Sequence, residues 1–292
     1  MAKNNVDLMC TYWTTAGIMP GEGEISRFDF RDRVEAAAKA GFNGMGLWHT
    51  DLERIMLDRP LKEIKMILDD NGIEHFQLEF LKDWFLTGGR KYESDNLKKR
   101  LLEASAVLNA SHIKVGDFYE TPCTMEQAVQ SFAALCKDAE AFGATIGFEF
   151  MLGSMINTVP DALKMVEMAG AKNGGLIVDI IHVNLINAFG KGPKISNEDL
   201  SKIPLKYLVC VELNDSALQG SPLYDPSRER RFLGEGDFDV KGFISAFKKT
   251  GYNGPWALEI YSKELSLLPL QKINDAVYKT TIPYFEEQVG KV

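Results

Sequence analysis

Short apolar, β-rich runs alternate eight times with longer Ala-, Glu- and Lys-rich segments of helical period. No other feature of the 292-residue chain constrains its fold as strongly. The strand candidates start at Val6, Phe42, Ile73, His112, Thr145, Gly175, Tyr207 and Pro255. Between them lie helix candidates such as FRDRVEAAAKAG, LKEIKMILDDNG and TMEQAVQSFAALCKDAEAFG. Several end on a glycine (Gly41, Gly72, Gly143, Gly170, Gly251), as helix C-termini commonly do. Eight repeats of about 36 residues predict an α/β chain forming a single (β/α)8 TIM barrel, one domain over residues 1–292. The competing architecture, an open doubly wound sheet, usually carries a glycine-rich phosphate turn after its first strand. Here Gly21-Glu22-Gly23 is too short for that turn and lies too far past the strand. Between Ile181 and Tyr207 the helical pattern is weak, and only a short helix is expected near residues 196–201.

The formal net charge of −8 disfavours a nucleic-acid groove or an anionic membrane surface as partner. No apolar run approaches the roughly 18 residues that span a bilayer, and MAKNNVDLMC has no signal-peptide core. Cys10, Cys123, Cys136 and Cys210 form no C-x-x-C pair and read as reduced, buried thiols. A cytoplasmic location is therefore expected.

Barrel enzymes carry their chemistry at the C-terminal ends of the strands. Four consecutive strand candidates end there on a carboxylate: Glu149 in TIGFEF, Asp179 in GLIVDII, Glu212 in YLVCVELND and Glu259 in PWALEIY. A single such residue is more often a helix cap or a surface ion pair. Four in successive units would repel one another, and a divalent cation with oxygen ligation relieves that. Mn2+ is the expected ion, with Mg2+, Co2+ or Zn2+ as alternatives.

The phrases FEF, VDIIH, VELND, RFLGEGDFD and GYNGPWALEIY, in that order, resemble the xylose-isomerase-like sugar phosphate isomerase/epimerase superfamily. That group includes tagatose-type 3-epimerases, hydroxypyruvate isomerase, inosose dehydratase, 3-dehydroshikimate dehydratase and endonuclease IV. The resemblance runs over essentially the whole chain and is strongest over residues 146–261. It implies a barrel whose metal is held at Glu149, Asp179, Glu212 and Glu259, with Glu149 and Glu259 moving protons. It also implies that His182, three residues past Asp179, contacts a substrate oxygen, although a loop cap is the plainer reading of that histidine. Glu212 departs from the family, which has a neutral His or Gln there. Arg231 matches the arginine of the R-x-x-G-x-G phrase, with Arg228 and Arg230 as neighbours able to take its role. His49, Glu79 and Lys114 also reach the strand ends as candidate substrate contacts, and Lys114 could offset Glu79 or Glu212. Trp48 and Trp84 could wall a sugar face, though core packing is the commoner use of either.

The implied activity is a divalent-metal-dependent isomerase or epimerase acting on a keto-sugar or related polyol through an enediolate. A dehydratase of the inosose or 3-dehydroshikimate type is the alternative, and a catalytically inactive sugar-binding barrel a third reading. Endonuclease-type DNA repair would need a histidine-rich three-metal cluster and a basic groove. This chain has four histidines and a negative net charge. The family is often dimeric or tetrameric, so a homo-oligomer is an open expectation.

Overall fold

A computed structural model describes residues 6–119, 121–218 and 229–286. Eight parallel strands form a closed barrel in chain order. They are β1 (Leu8–Cys10), β2 (Gly44–Trp48), β3 (His75–Leu81), β4 (His112–Val115), β5 (Ile146–Glu149), β6 (Gly174–Asp179), β7 (Leu208–Leu213) and β8 (Trp256–Leu258). Closure comes from β1 pairing with β8, Leu8 opposite Trp256 and Cys10 opposite Leu258. Helices pack against the outer face of the barrel, so the strands are covered on both sides and read as near-continuous apolar runs.

Register sets what enters the barrel. Asp179 lies opposite Glu212 across the β6–β7 pair, so both side chains project to the same side. Strand residues two apart share a face. Ile177, Cys210 and Ala257, two residues before Asp179, Glu212 and Glu259, therefore point inward as well. With Met9 they form a small, fully buried cluster separate from the main core. An apolar layer of this kind fills the barrel interior beneath the carboxylates.

Three elements differ from the sequence expectation. VDLMCTYW is not one strand: β1 stops at Cys10, and Tyr12–Thr15 is a helical turn. His49 begins an eight-residue helix, His49–Met56, that the sequence pattern did not mark. The weak region after strand six holds a ten-residue helix, Ile180–Phe189, that starts with no intervening loop. Its residues Ile180, Ile181, His182, Val183, Leu185 and Ile186 are all buried. A helix apolar on most sides lacks the polar stripe by which periodicity is recognised. The expected short helix is also present, Asn197–Leu200, capped by Ser196 and Asp199 in a reciprocal capping box. Of the four thiols, Cys10, Cys136 and Cys210 are buried, whereas Cys123 is only half-buried.

Among the described residues, no helix is long and apolar enough to cross a membrane.

Candidate active site

The four carboxylates converge. One oxygen each from Glu149, Asp179, Glu212 and Glu259 lies within 4.8 Å of all the others, and all four residues are buried. Asp179 is also a helix cap: its Oδ1 accepts from the backbone N–H of Ile181 at 3.0 Å and from Asn214 Nδ2 at 2.8 Å. Capping and convergence are thus the work of the same side chain, since the cap fixes the orientation in which Oδ2 faces the cluster.

Two buried cations answer the acids. Lys114 Nζ lies 2.8 Å from Glu212, 3.4 Å from Glu79 Oε2 and 3.6 Å from Glu149 Oε1. Arg230 Nη1 pairs with both Asp179 and Glu259, while its Nε donates to the Tyr261 hydroxyl at 3.0 Å. Among the described residues, five carboxylates, counting Glu79, therefore face two cations, a formal excess of three negative charges.

Burial and this crowding set the proton affinities. Burial pushes Glu149 up, Lys114 opposes it, and the neighbouring Glu259 and Asp179 charges add to it, leaving the carboxyl at about 7. Burial likewise holds Glu212 well above, and Glu79 above, the usual carboxylate range, against the pull of Lys114. Burial alone would lower the Lys114 ammonium, but Glu149, Glu212, Glu259 and Glu79 outweigh it and keep it firmly charged. His182 is pushed well below its usual value by burial and by Arg230, so its imidazole is neutral.

His182 sits in the first turn of the helix that Asp179 caps. Its Nε2 is 3.6 Å from Glu149 Oε1 and 4.0 Å from Asp179 Oδ2. Glu79 reaches the cluster from β3, where its Oε1 accepts from the Tyr12 backbone N–H at 3.3 Å. Gly46 makes room for it, because a Cβ there would stand 2.8 Å from Glu79 Oε1. His49 Nδ1 accepts from the Phe80 backbone N–H at 3.4 Å, which leaves the ring proton on Nε2. Burial lowers its proton affinity too.

The guanidinium of the site belongs to Arg230, not Arg231. Arg230 pairs through its backbone with Tyr261, and Arg231 with Asp215. Successive residues of an extended segment face opposite ways. Arg230 therefore turns inward and is buried, while Arg231 is exposed, its Nη1 donating to the Glu235 carbonyl at 3.2 Å. Arg228 lies outside the described residues. Trp48 lines the pocket. Trp84 does not: it is packed in the core against Phe85, Phe132 and Phe148.

A cavity of about 720 Å³ opens over the cluster. Its lining includes Glu149, His182, Arg230 and Glu259 and the rings of Trp13, Trp48, Phe80, Phe118 and Tyr119. His49, Glu79 and Lys114 also line it. Sequence reasoning passed over Asn214, Tyr261 and four of these five aromatic residues. Asn214 adjoins Glu212 in VELND and Tyr261 closes PWALEIY, so proximity to a flagged carboxylate was the available signal.

The donor set fits a divalent ion. Its oxygens are hard ligands, the excess charge is negative, and Glu149 Oε1 is buried without a hydrogen-bond donor. The Lys114 ammonium, 3.6 Å away, is too far to hydrogen-bond it, and an acceptor left in that condition is costly unless a closer cation meets it.

A family model described as a xylose isomerase-like TIM barrel matches residues 34–287. Among curated proteins, a 3-dehydroshikimate dehydratase of Pseudomonas aeruginosa is 26% identical over 266 residues, 88% of this chain and 40% of that protein. The chain thus spans less than half the length of that relative. An inosose isomerase of Halalkalibacterium halodurans is 21% identical over 85% of this chain and 89% of its own length. Among solved structures, the IOLI protein with a bound zinc atom superposes with a TM-score of 0.82 at 19% identity, over 96% of this chain and 98% of that one. D-psicose 3-epimerase of Clostridium cellulolyticum, solved with D-tagatose, gives 0.71 at 15% identity, over 96% of this chain and 100% of that one. At such identities the structural likeness is one of fold.

Proposed function

The chain belongs to the xylose isomerase-like TIM barrel family, and on that premise we propose that it is a divalent-metal-dependent isomerase or epimerase of a keto-sugar or related polyol. One observation carries the reading: four carboxylates from consecutive strand ends, within 4.8 Å of one another in a buried cluster. Glu149, Asp179, Glu212 and Glu259 are the proposed holders of the ion, Mn2+ by preference. When bound, a divalent ion there polarises a substrate carbonyl and acidifies the adjacent C–H.

The chain's own groups do the rest. Glu149, held to about 7 by burial in the metal-free protein and lowered from there by a bound cation, is placed to take a proton from the carbon beside the carbonyl and to return it. Glu259 approaches from beyond β8, three strands away around the rim, so the two carboxylates address a substrate from different sides. Return of the proton to the opposite face of the same carbon gives epimerisation, and to the neighbouring carbon isomerisation. Neutral His182 hydrogen-bonds the oxygen on which charge develops. Arg230 holds a second substrate oxygen with the donors not engaged by Asp179 and Glu259. His49, Glu79 and Lys114 complete the polar contacts.

Dehydration is the second reading, favoured by the higher identity to the 3-dehydroshikimate dehydratases. In it the abstracted proton leaves with a β-hydroxyl as water, and the C–H electron pair becomes the new double bond.

The test is metal analysis of natively purified protein after Mn2+ addition, followed by a screen of keto-sugars, inososes and dehydroshikimate read by NMR for solvent-deuterium incorporation. About one ion per chain, with deuterium entering beside a carbonyl, is expected. Stoichiometry near zero despite added metal refutes the reading.

A further inference from the structure

The pocket is lined by two chemically distinct sets of residues, one of carboxylates with His182 and Arg230. The other is a continuous aromatic wall. Ring centroids step 5.2 Å from Trp13 to Trp48, 5.9 Å to Phe80, 4.7 Å to Phe118 and 6.3 Å to Tyr119. Trp48 and Phe80 are near-parallel, 9° apart, and Phe80 and Phe118 are 28° apart. The wall is held from behind. Phe80 is buried, and it can occupy its position because residue 116 is glycine: a Cβ there would stand 2.5 Å from Phe80 Cζ.

A bare hexose can lay its C–H face on one of these rings but does not cover the run of five. At roughly 30 Å³ of liquid per water, the 720 Å³ cavity holds about two dozen waters. A hexose, with about a dozen heavy atoms, displaces around half of them. The wall's own hydrogen-bonding groups are few, the indole N–H groups of Trp13 and Trp48 and the Tyr119 hydroxyl, with Glu24, His49 and Lys82 beside them, so several hydroxyls pressed against the rings would lose water and be only partly compensated. A flat apolar ring loses nothing there and gains offset or edge-to-face contacts.

We infer that the substrate has two parts, a hydroxylated carbonyl portion over the carboxylates and an aromatic ring joined to it that lies along Trp48, Phe80 and Phe118. The inference rests on the polyol reading for its first part only; the wall stands independently of any metal.

Methyl and phenyl β-D-glucopyranoside serve as probes, with affinities measured by ligand-observed NMR on the full chain, with and without Mn2+. The phenyl compound is expected to bind at least tenfold more tightly, about 1.4 kcal/mol, with saturation transfer strongest at the ring protons. Phe118→Ala should remove most of that advantage and leave the weaker methyl compound unaffected. Tyr119 is 56% exposed, so Tyr119→Ala tests the outer end of the wall even should Phe118→Ala fail to fold. Equal affinities, binding of neither compound, or a phenyl preference that persists in the variants overturns the inference. A phenyl preference with no Mn2+ uptake leaves the aromatic wall standing and removes the metal-dependent reading alone.

Discussion

Lys114→Met should destabilise the protein severely, and Glu212→Gln should undo part of that damage when added to it, because Glu79 and Glu149 also lose their cation. Lys114 Nζ is 2.8 Å from Glu212 inside the barrel. At an effective dielectric near 20, that separation corresponds to about 6 kcal/mol of attraction. The desolvation of two buried ions offsets much of it. Removing the lysine alone leaves Glu212, already held well above the usual carboxylate range by burial, to carry an uncompensated charge or take up a proton, and buried pairs broken this way lose ~3–5 kcal/mol. Neutralising Glu212 as well leaves an amide where the charge was, so the double variant should recover at least ~2 kcal/mol as coupling between the sites. Denaturant unfolding of wild type, both single variants and the double variant measures this directly. Mn2+ titration supplies an independent readout. Glu212→Gln should keep metal affinity within roughly tenfold (~1.4 kcal/mol), because the pair with Lys114 has already cancelled its charge; Asp179→Asn should abolish binding. A double variant no more stable than Lys114→Met refutes the pairing. Loss of metal in Glu212→Gln as complete as in Asp179→Asn refutes the cancelled-charge account.

His182→Ala should retain metal and melting temperature while kcat falls by ~10² to 10³, tested by metal content per chain alongside deuterium exchange; loss of the metal would instead make His182 a ligand. Glu149 is raised from 4.5 to about 7, so in the metal-free protein its contribution to stability is full below about 4.5 and disappears as pH climbs through 7. Mn2+ competes with that proton, so its affinity should rise from pH 6 to pH 8 with proton release, visible by calorimetry in buffers of different ionisation enthalpy; a flat profile contradicts the assignment. Asp51→Ala should cost ~3–5 kcal/mol, because it strands Arg33, which is 1% exposed and keeps Nε and Nη1 without partners. It also removes the acceptor for the Ser26 backbone N–H at 2.9 Å, and a change below ~1 kcal/mol in urea unfolding would show that the buried pair is not structural.

The barrel was readable because each buried strand is an apolar run, and a polar residue at its end stands out. Glu149, Asp179, Glu212 and Glu259 were found that way, and the structure gathers them. Lys114 stood out as a cation inside a strand. Arg230 and Arg231 could not be told apart, because the facing of two adjacent residues depends on which partner each pairs with, here Tyr261 and Asp215. The helix Ile180–Phe189 was obscured by its own burial. The aromatic wall was not legible for a related reason: Phe80 and Phe118 resemble core residues until a cavity is seen in front of them.

The order of the units around the barrel is also their order along the chain. The rings from Trp13 to Tyr119 come from the first four βα units, and the carboxylates from Glu149 to Glu259 come from the last four. The aromatic lining and the four converging carboxylates therefore occupy separate stretches of polypeptide that share one hydrophobic interior. On the proposed reading, exchange of the first stretch between relatives would change which molecule is held and leave those carboxylates in register. The two stretches meet at Lys114, whose ammonium from the fourth unit reaches Glu149 and Glu212 of the later ones, so that position cannot change alone, and the inward-facing layer of Met9, Ile177, Cys210 and Ala257 fills the interior beneath both arcs.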